Sequence, residues 1–132
     1  MKQANSSQED SCSDLLLIQK YLYEHGLMVK SLQKQQESQE YGAYILEING
    51  QTVLFRVGKT TPKKMGHFVT VWKRNVEGSI VPYDSIDPID FFVISIRNEN
   101  EFGIFLFPKT VLLSKGIMSH NFTGGKLAMR LY

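Results

Sequence analysis

Near the start of the chain, apolar residues recur at the three- and four-residue spacing of a helix. Its apolar positions are spaced to lie together on one helical face: Leu15, Leu16, Ile18 and Leu22. We predict a helix that begins near Ser11 or Ser13, because either side chain can cap it. Gly26 is typical of the position just past a helix end. Residues 1–10 are polar and rich in Ser and Gln, so we expect a mobile tail there.

Two runs of strand-like alternation flank Asn49-Gly50 in the middle of the chain. Asn-Gly in this setting is the strongest short-range signal for a β-hairpin with a type I′ turn. A two-residue turn sets the register of the hairpin and places Ile48 opposite Gln51. Both faces of the hairpin carry apolar side chains, so we expect other layers to cover both of them.

The rest of the chain predicts further strands. Alternation and aromatic or β-branched residues mark four segments, at residues 67–74, 91–97, 102–107 and 126–132. A short helix from Pro108 to Gly116 precedes the last strand, and residues 75–82 and 98–101 are predicted turns. Residues 27–39 fit a linker, a partly exposed strand or a second short helix. These elements predict an α/β or α+β fold, with a central mixed sheet, a core hairpin and a few flanking helices.

Composition limits the class of protein. The 132 residues suit one domain, which we assign to residues 11–132. The net charge of +2 is uneven, because residues 1–58 carry five basic and seven acidic side chains and residues 59–132 carry ten and six. Cys12 is the only cysteine, which excludes an internal disulfide. No apolar run approaches the roughly 18 residues of a membrane span, and residues 1–10 lack the apolar region of a signal peptide. We therefore predict a cytoplasmic protein with no membrane partner.

The segment FRVGKTTPKKMGHFVTVWKR, residues 55–74, carries six basic residues and no acid. The four basic residues around its central turn are the candidate anion ligands: Arg56, Lys59, Lys63 and Lys64. Pro62 stiffens this turn, which limits the entropy lost when an anion binds. Gly58 suits a β-bulge that would bring Lys59 to the same side as Arg56. The segment therefore predicts a site for phosphate or nucleic acid.

A structural role is the alternative for each of these cations. Arg56 interrupts an apolar strand, where a charge is costly unless it is paired. Its possible partners are acids nearby in sequence or on the neighbouring strand: Glu40, Glu47 and the aspartates of residues 84–90. The lysines of the turn would then form an ordinary solvated loop. Trp72 alternates with Phe68 and is predicted to lie in the core, with base stacking as the alternative.

Other chemical motifs are weak. Asp84, Asp87 and Asp90 have the spacing of metal ligands, but they lie in a proline-containing segment where acids commonly cap turns. We predict no cofactor, and a divalent metal at these aspartates is the alternative. GKTT lacks the upstream glycine of a Walker A motif. The sequence contains neither a Cys/His zinc pattern nor a GxSxG motif.

Several blocks of the sequence carry a family resemblance. They are Glu40-Tyr41, the segment at 55–74, Pro82-Tyr83 with Asp87 and Asp90, GIFLFPK at 103–109, and Gly116 followed by GGKLAMRLY. In this order and spacing they resemble the MepB-like family, a group of small bacterial proteins. The resemblance covers nearly everything from Glu40 onward. It implies a family pattern that continues past Tyr132 into an aromatic segment, which we expect this chain to lack.

The resemblance implies a restriction-endonuclease-like α/β fold. In active members of that superfamily, acids on and beside a central hairpin hold a divalent metal, and a lysine two positions after the second acid assists the attacking water. Lys59 takes the place of this lysine, but Val57 stands where the acid belongs. Glu47 or Glu40 would have to replace that acid.

These observations leave three functional hypotheses, and they do not settle whether the protein is an enzyme. The preferred one is a module that binds nucleic acid or a phosphate-bearing ligand on a catalytically degenerate nuclease scaffold. The second is an active metal-dependent nuclease with relocated carboxylates. The third is a regulatory accessory that binds an acidic protein through its basic loop.

Overall fold

The computed structural model describes residues 6–36, 38–61, 64–97 and 102–132, and shows a mixed α+β fold. Its α-helices are α1 (Ser6–Glu24) and α2 (Lys109–Ser114), and a short 3₁₀ helix spans Gln39–Tyr41. The strands in chain order are β1 (Val29–Lys34), β2 (Tyr44–Ile48), β3 (Gln51–Val57), β4 (Lys59–Thr61), β5 (Lys64–Thr70), β6 (Trp72–Arg74), β7 (Ile80–Pro82), β8 (Phe91–Arg97), β9 (Phe102–Pro108) and β10 (Ala128–Leu131).

The strands form one large sheet and two small ones. The large sheet has the order β1-β2-β3-β8-β9 and is mixed, because β3 and β8 run parallel while the other pairs are antiparallel. In the three-stranded sheet, β5 lies between β10 and β4, and both pairs are antiparallel. β6 and β7 form an antiparallel pair of their own.

Each face of the large sheet carries its own hydrophobic cluster. On one face α1 contributes Leu15 and Ile18, which pack against residues of β2, β3 and β8: Leu46, Val53, Phe55 and Val93. On the other face the sheet packs against the three-stranded sheet, α2 and neighbouring loops, through Leu54, Val69, Val71, Tyr83, Ile89, Phe92, Ile94, Leu112 and Met118. The expectation that both faces are covered is confirmed, and the large sheet is the middle layer.

The predicted hairpin is confirmed in its register. Ile48 pairs with Gln51, as the two-residue turn requires. Asn49 and Gly50 have φ angles of 51° and 77°, the two successive positive values that a type I′ turn needs. The strands predicted at residues 91–97 and 102–107 are β8 and β9, and they pair antiparallel. The turn predicted between them, at residues 98–101, lies outside the described residues.

The predicted start of the first helix is wrong. α1 begins at Ser6, so Ser11 and Ser13 lie inside it and residues 6–10, which we expected in a tail, are helical. Once the apolar stripe anchors a helix, each added residue gains a backbone hydrogen bond at little further cost. At the other end Gly26 follows the helix with a φ of 81°, as expected of a residue past a C-terminus.

The single strand predicted at residues 67–74 is also wrong. It is two strands in different sheets, since β5 ends at Thr70 and β6 starts at Trp72. Between them Val71 donates its N–H to the Leu127 carbonyl oxygen at 2.8 Å. β6 then pairs with β7, inside the segment predicted as a turn. Residues 27–39, left open by their pattern, contain the mostly exposed strand β1 and the start of the 3₁₀ helix.

In the described part of the chain, no helix combines the length and hydropathy that a membrane span requires. The cytoplasmic location stays a prediction, and so does the restriction-endonuclease-like classification of the fold.

Candidate functional site

Arg56 lies in the middle layer of the protein and is fully buried, with an exposed fraction of 0%. Its guanidinium donates to Gln35 Oε1 and, at 3.1 Å, to the Phe55 carbonyl oxygen. Its Cζ is 5.6 Å from the centroid of the Phe92 ring. Gln35 Nε2 in turn donates to the Tyr83 hydroxyl at 3.1 Å. We call Arg56, Gln35 and Tyr83 the buried polar chain. In this structure Arg56 does not reach the surface where an anion would arrive.

Gly58 separates Arg56 from Lys59 by moving the chain from one sheet to another. β3 ends at Val57 in the large sheet and β4 starts at Lys59 in the three-stranded sheet, so the predicted bulge is a switch between sheets. A Cβ atom at residue 58 would lie 3.2 Å from the Cβ of His67, a tight contact that favours glycine.

Lys59 is half-buried, and its Nζ lies 5.0 Å from the centroid of the Tyr41 ring. Of the other predicted anion ligands, Lys63 lies outside the described residues, and so does the side chain of Lys64. Among the predicted catalytic acids, Glu47 is exposed on β2, and the side chain of Glu40 lies outside the described part of the structure.

A row of three side chains crosses the three-stranded sheet at Lys59. Strand register places Lys59 opposite Phe68, and Phe68 opposite Arg130 on the other side. The Cζ of Arg130 lies 5.4 Å from the centroid of the Phe68 ring, and the Tyr41 ring is 6.2 Å from the same ring. We call Lys59, Phe68, Arg130 and Tyr41 the cation–aromatic row. All four are half-buried, so the row lies at the surface with its charges held against rings.

A second pair of this kind follows along the chain. The Cζ of Arg74 lies 5.4 Å from the centroid of the Trp72 ring, and its Nη1 donates to the Gly78 carbonyl oxygen at 2.7 Å. Trp72 is half-buried and belongs to neither hydrophobic cluster, so its predicted place in the core is wrong. β6 turns away to pair with β7, and this removes Trp72 from the layer that covers the large sheet.

The three aspartates of residues 84–90 hold separate parts of the loop. Asp87 accepts from Lys73 Nζ at 2.6 Å and from the Asp84 N–H at 2.8 Å. Asp90 accepts from the Thr52 N–H at 2.8 Å. Within residues 6–36, 38–61, 64–97 and 102–132, no group of three or more His, Cys, Asp or Glu side chains could hold a metal ion. In this structure the aspartates organise the loop.

Asp84 is buried, with 1% of its surface exposed. Burial raises the pKa of its carboxyl, but hydrogen bonds from Ser119 Oγ and from the backbone N–H groups of Phe122, Ile86 and Ser85 outweigh it and lower the pKa to about 2 from 3.8. Ser119 Oγ and the Phe122 N–H lie 2.6 and 2.7 Å from Asp84 Oδ1. The ionised carboxylate therefore anchors residues 119–122 to the loop that contains it.

Lys59 is the one member of the row that the sequence pattern marked as a candidate ligand. Arg130 is 62 residues from Phe68, and the pairing of β10 with β5 brings them together. Tyr41 was noticed only as part of a family block. The sequence signal for the row was the mixture of basic and aromatic residues on β5. This signal predicts the row only when the neighbouring strands are known, because they carry the other cations.

Comparisons with known proteins give one match to a protein-family model and one to a solved structure. The family model described as MepB-like matches residues 35–132. A crystal structure of MepB matches with a TM-score of 0.78 and 34% sequence identity, over 91% of this chain and 79% of that one. Among curated proteins the chain finds no significant match. The family match covers well over half of the sequence, including the 3₁₀ helix, both small sheets and four strands of the large one. The chain belongs to the MepB-like family.

Proposed function

We propose that this protein binds nucleic acid, or another phosphate-bearing ligand, on the outer face of its three-stranded sheet, and that it does so without cleaving the ligand. One observation carries the proposal: the cross-strand row in which Phe68 lies between Lys59 and Arg130. Binding sites for nucleic acid combine cations with aromatic rings, because the cations contact phosphate and the rings contact bases.

The contacts of the row support a binding role by limiting its freedom before a ligand arrives. Lys59 lies over the Tyr41 ring, and Arg130 lies over the Phe68 ring while its Nη1 donates to the Met65 carbonyl oxygen at 3.2 Å. A cation against a ring gains about 0.5–1 kcal/mol at an exposed site, which favours one position over many. Charges that are already positioned lose less entropy on binding.

The charge distribution along the chain supports the same face. Residues 59–132, which contain both small sheets, carry ten basic and six acidic side chains. An excess of positive charge raises the local concentration of a polyanion and speeds its association. Of the lysines predicted from the sequence, Lys64 is the first residue of β5 and so belongs to a strand of the proposed surface.

The proposal that the site does not cleave its ligand rests on the residues around Lys59. Val57 stands two positions before it, where an active nuclease of the resembled type has an acid. Glu47 is exposed on β2, in the large sheet, whereas Lys59 belongs to the three-stranded sheet. Metal ligands must meet at one ion, and among the side chains that the structure describes no group of three or more His, Cys, Asp or Glu could hold one.

The test measures affinity for a labelled oligonucleotide between about 50 and 200 mM salt, where binding through phosphates falls steeply. The variant Lys59→Ala/Arg130→Ala should weaken binding at every sequence, and the slope of log affinity against log salt should shrink by about one for each cation that contacts phosphate. Lys20→Ala/Lys30→Ala is the matched control, since both lysines are exposed on α1 and β1, away from the small sheets.

Three results would count against the proposal. Wild-type protein that binds no oligonucleotide near 50 mM salt would favour an acidic protein as the partner. An unchanged salt slope in Lys59→Ala/Arg130→Ala would place the contact elsewhere. Cleavage of the oligonucleotide on addition of Mg²⁺, lost in Lys59→Ala, would restore the nuclease hypothesis.

A further inference from the structure

Two arginines of the small sheets, Arg74 on β6 and Arg130 on β10, are held in the same way. Arg74 lies over Trp72 with the Cζ 5.4 Å from the ring centroid, and Arg130 lies over Phe68 at the same distance. Each also donates one guanidinium N–H to a backbone carbonyl oxygen, that of Gly78 or of Met65. The ring and the carbonyl together restrict the position of the guanidinium. We call these two pairs the arginine–aromatic platforms.

The burial pattern places both rings on the outward side of the chain. Val69 and Val71 are 0% and 2% exposed and belong to the core, whereas Phe68, Thr70 and Trp72 between and beside them are half-buried. This alternation continues through the break between β5 and β6, so Phe68 and Trp72 point away from the core on the same side. Phe68 belongs to β5 and Trp72 to β6, four residues further along the chain.

Arg97 also contacts a ring, but it lies on β8 in the large sheet. Its Cζ lies 5.1 Å from the Phe102 ring, and its guanidinium forms an ion pair with Asp14, which is 1% exposed. Ser95 Oγ donates to the same carboxylate at 3.0 Å. These contacts fix α1 to the large sheet, so the role of Arg97 is structural.

We infer that the two platforms stack on nucleobases, and that the ligand is therefore single-stranded nucleic acid. This inference rests on the proposed function. A guanidinium is planar and delocalised, and bases stack on guanidinium planes as they do on aromatic rings. In a duplex the faces of the bases are covered by their neighbours, so only a single strand can offer them.

The placement of the platforms supports a single strand as well. Stacked bases of a duplex follow one another at about 3.4 Å, whereas Phe68 and Trp72 are four residues apart on strands of two different sheets. Bases bound at both platforms are therefore unstacked from each other. A flexible strand allows this at small cost, whereas a duplex would have to be opened.

The experiment compares three labelled ligands of equal length: an intact single strand, the same strand with abasic sugars opposite the platforms, and the duplex. The abasic strand keeps every phosphate and lacks the bases, so it isolates stacking from charge. The intact strand should bind about 5- to 150-fold more tightly than the abasic strand for each stacked base. It should also bind more tightly than the duplex, although the duplex carries more phosphates.

The variant Arg74→Lys/Arg130→Lys keeps both charges and removes both guanidinium planes. It should lower the affinity for the intact strand to that for the abasic strand, and leave the affinity for the abasic strand and the salt slope as in wild type. Lys20→Arg is the charge-matched control on α1 and should change none of these. An unchanged urea midpoint in the double variant confirms that the fold is intact.

The two proposals fail in different ways. Equal binding of the intact and abasic strands, with a normal salt slope, would overturn the platforms and leave phosphate binding in place. Tighter binding of the duplex with no effect of Arg74→Lys/Arg130→Lys would also overturn them. Absence of binding to all three ligands would overturn the proposed function, and the inference with it.

Discussion

Arg56 and Lys59 are three positions apart in the sequence and lie in two different environments. Arg56 belongs to the buried polar chain and is 0% exposed, with Gln35 and Phe55 as hydrogen-bond partners. Lys59 belongs to the cation–aromatic row at the surface, where its Nζ lies over the Tyr41 ring. The sequence pattern grouped these cations as ligands of one anion. The structure assigns one to holding the layers together and leaves the other at the surface.

Sheet membership causes this difference. Arg56 shares a face of β3 with Leu54, which belongs to the hydrophobic cluster between the large sheet and the three-stranded sheet, so the Arg56 side chain points between two layers. After Gly58 the chain enters the three-stranded sheet, and Lys59 pairs with Phe68 instead. A basic segment can therefore contain structural and surface charges in alternation. Proximity in sequence does not show which is which.

The largest expected effect is the loss of stability in Arg56→Ala. The substitution leaves a cavity in the middle layer and removes the donor from Gln35 Oε1 and the Phe55 carbonyl oxygen. A large-to-small change of this kind, combined with unsatisfied buried acceptors, should cost about 3–5 kcal/mol in the free energy of unfolding. Urea denaturation measures it.

Arg74→Ala is the control for this prediction, because Arg74 is exposed on β6. It should cost less than about 1 kcal/mol. If the two variants were equally stable, the distinction between the buried polar chain and the outer cations would be wrong.

A second effect concerns the pH dependence of stability near the buried polar chain. Asp84 follows Tyr83, and its pKa of about 2 lies below the ordinary 3.8. A depressed folded-state pKa contributes stability that is present above pH 3.8, where the carboxyl is ionised in both states, and is lost as the pH falls from about 4 toward 2.

The variant Asp84→Asn isolates this contribution from the other carboxyls. The amide keeps the shape of the side chain but cannot accept hydrogen bonds from both sides as the carboxylate does. Wild type should therefore be more stable than Asp84→Asn at neutral pH, and the difference should shrink between about pH 4 and pH 2. A difference that stays constant over this range in urea unfolding would contradict the assignment.

The elements that depend on local pattern could be predicted from the sequence. The Asn49-Gly50 turn set the pairing of β2 with β3, and alternation identified β8 and β9. The parallel pairing of β3 with β8 could not be predicted, because it joins strands that are far apart in sequence and no turn sets their register. For the same reason the cation–aromatic row could be predicted only in part: Lys59 stood out by charge, while Arg130 across Phe68 lies on the last strand.

A smaller effect is expected where the buried polar chain ends, at Tyr83. The variant Tyr83→Phe keeps the ring, with Lys73 Nζ over it at 5.9 Å, and removes the hydroxyl that accepts from Gln35 Nε2. Loss of one buried hydrogen bond should cost about 1 kcal/mol or somewhat more, because Gln35 keeps an unsatisfied donor. A variant with wild-type stability in urea would show that the chain ends at Gln35.

The smallest effect on stability is expected for Lys59→Ala, and this variant tests the difference between Arg56 and Lys59 most directly. Lys59 is half-buried and its main described contact is the Tyr41 ring, so its removal should cost less than about 1 kcal/mol. The same variant should reduce the salt slope of oligonucleotide binding by about one. Arg56→Ala, measured at a temperature and urea concentration where it stays folded, should leave that slope unchanged because Arg56 does not reach the surface. If Lys59→Ala instead lost several kcal/mol and kept its salt slope, Lys59 would belong with Arg56 among the structural charges, and the outer face would need another cation to bind phosphate.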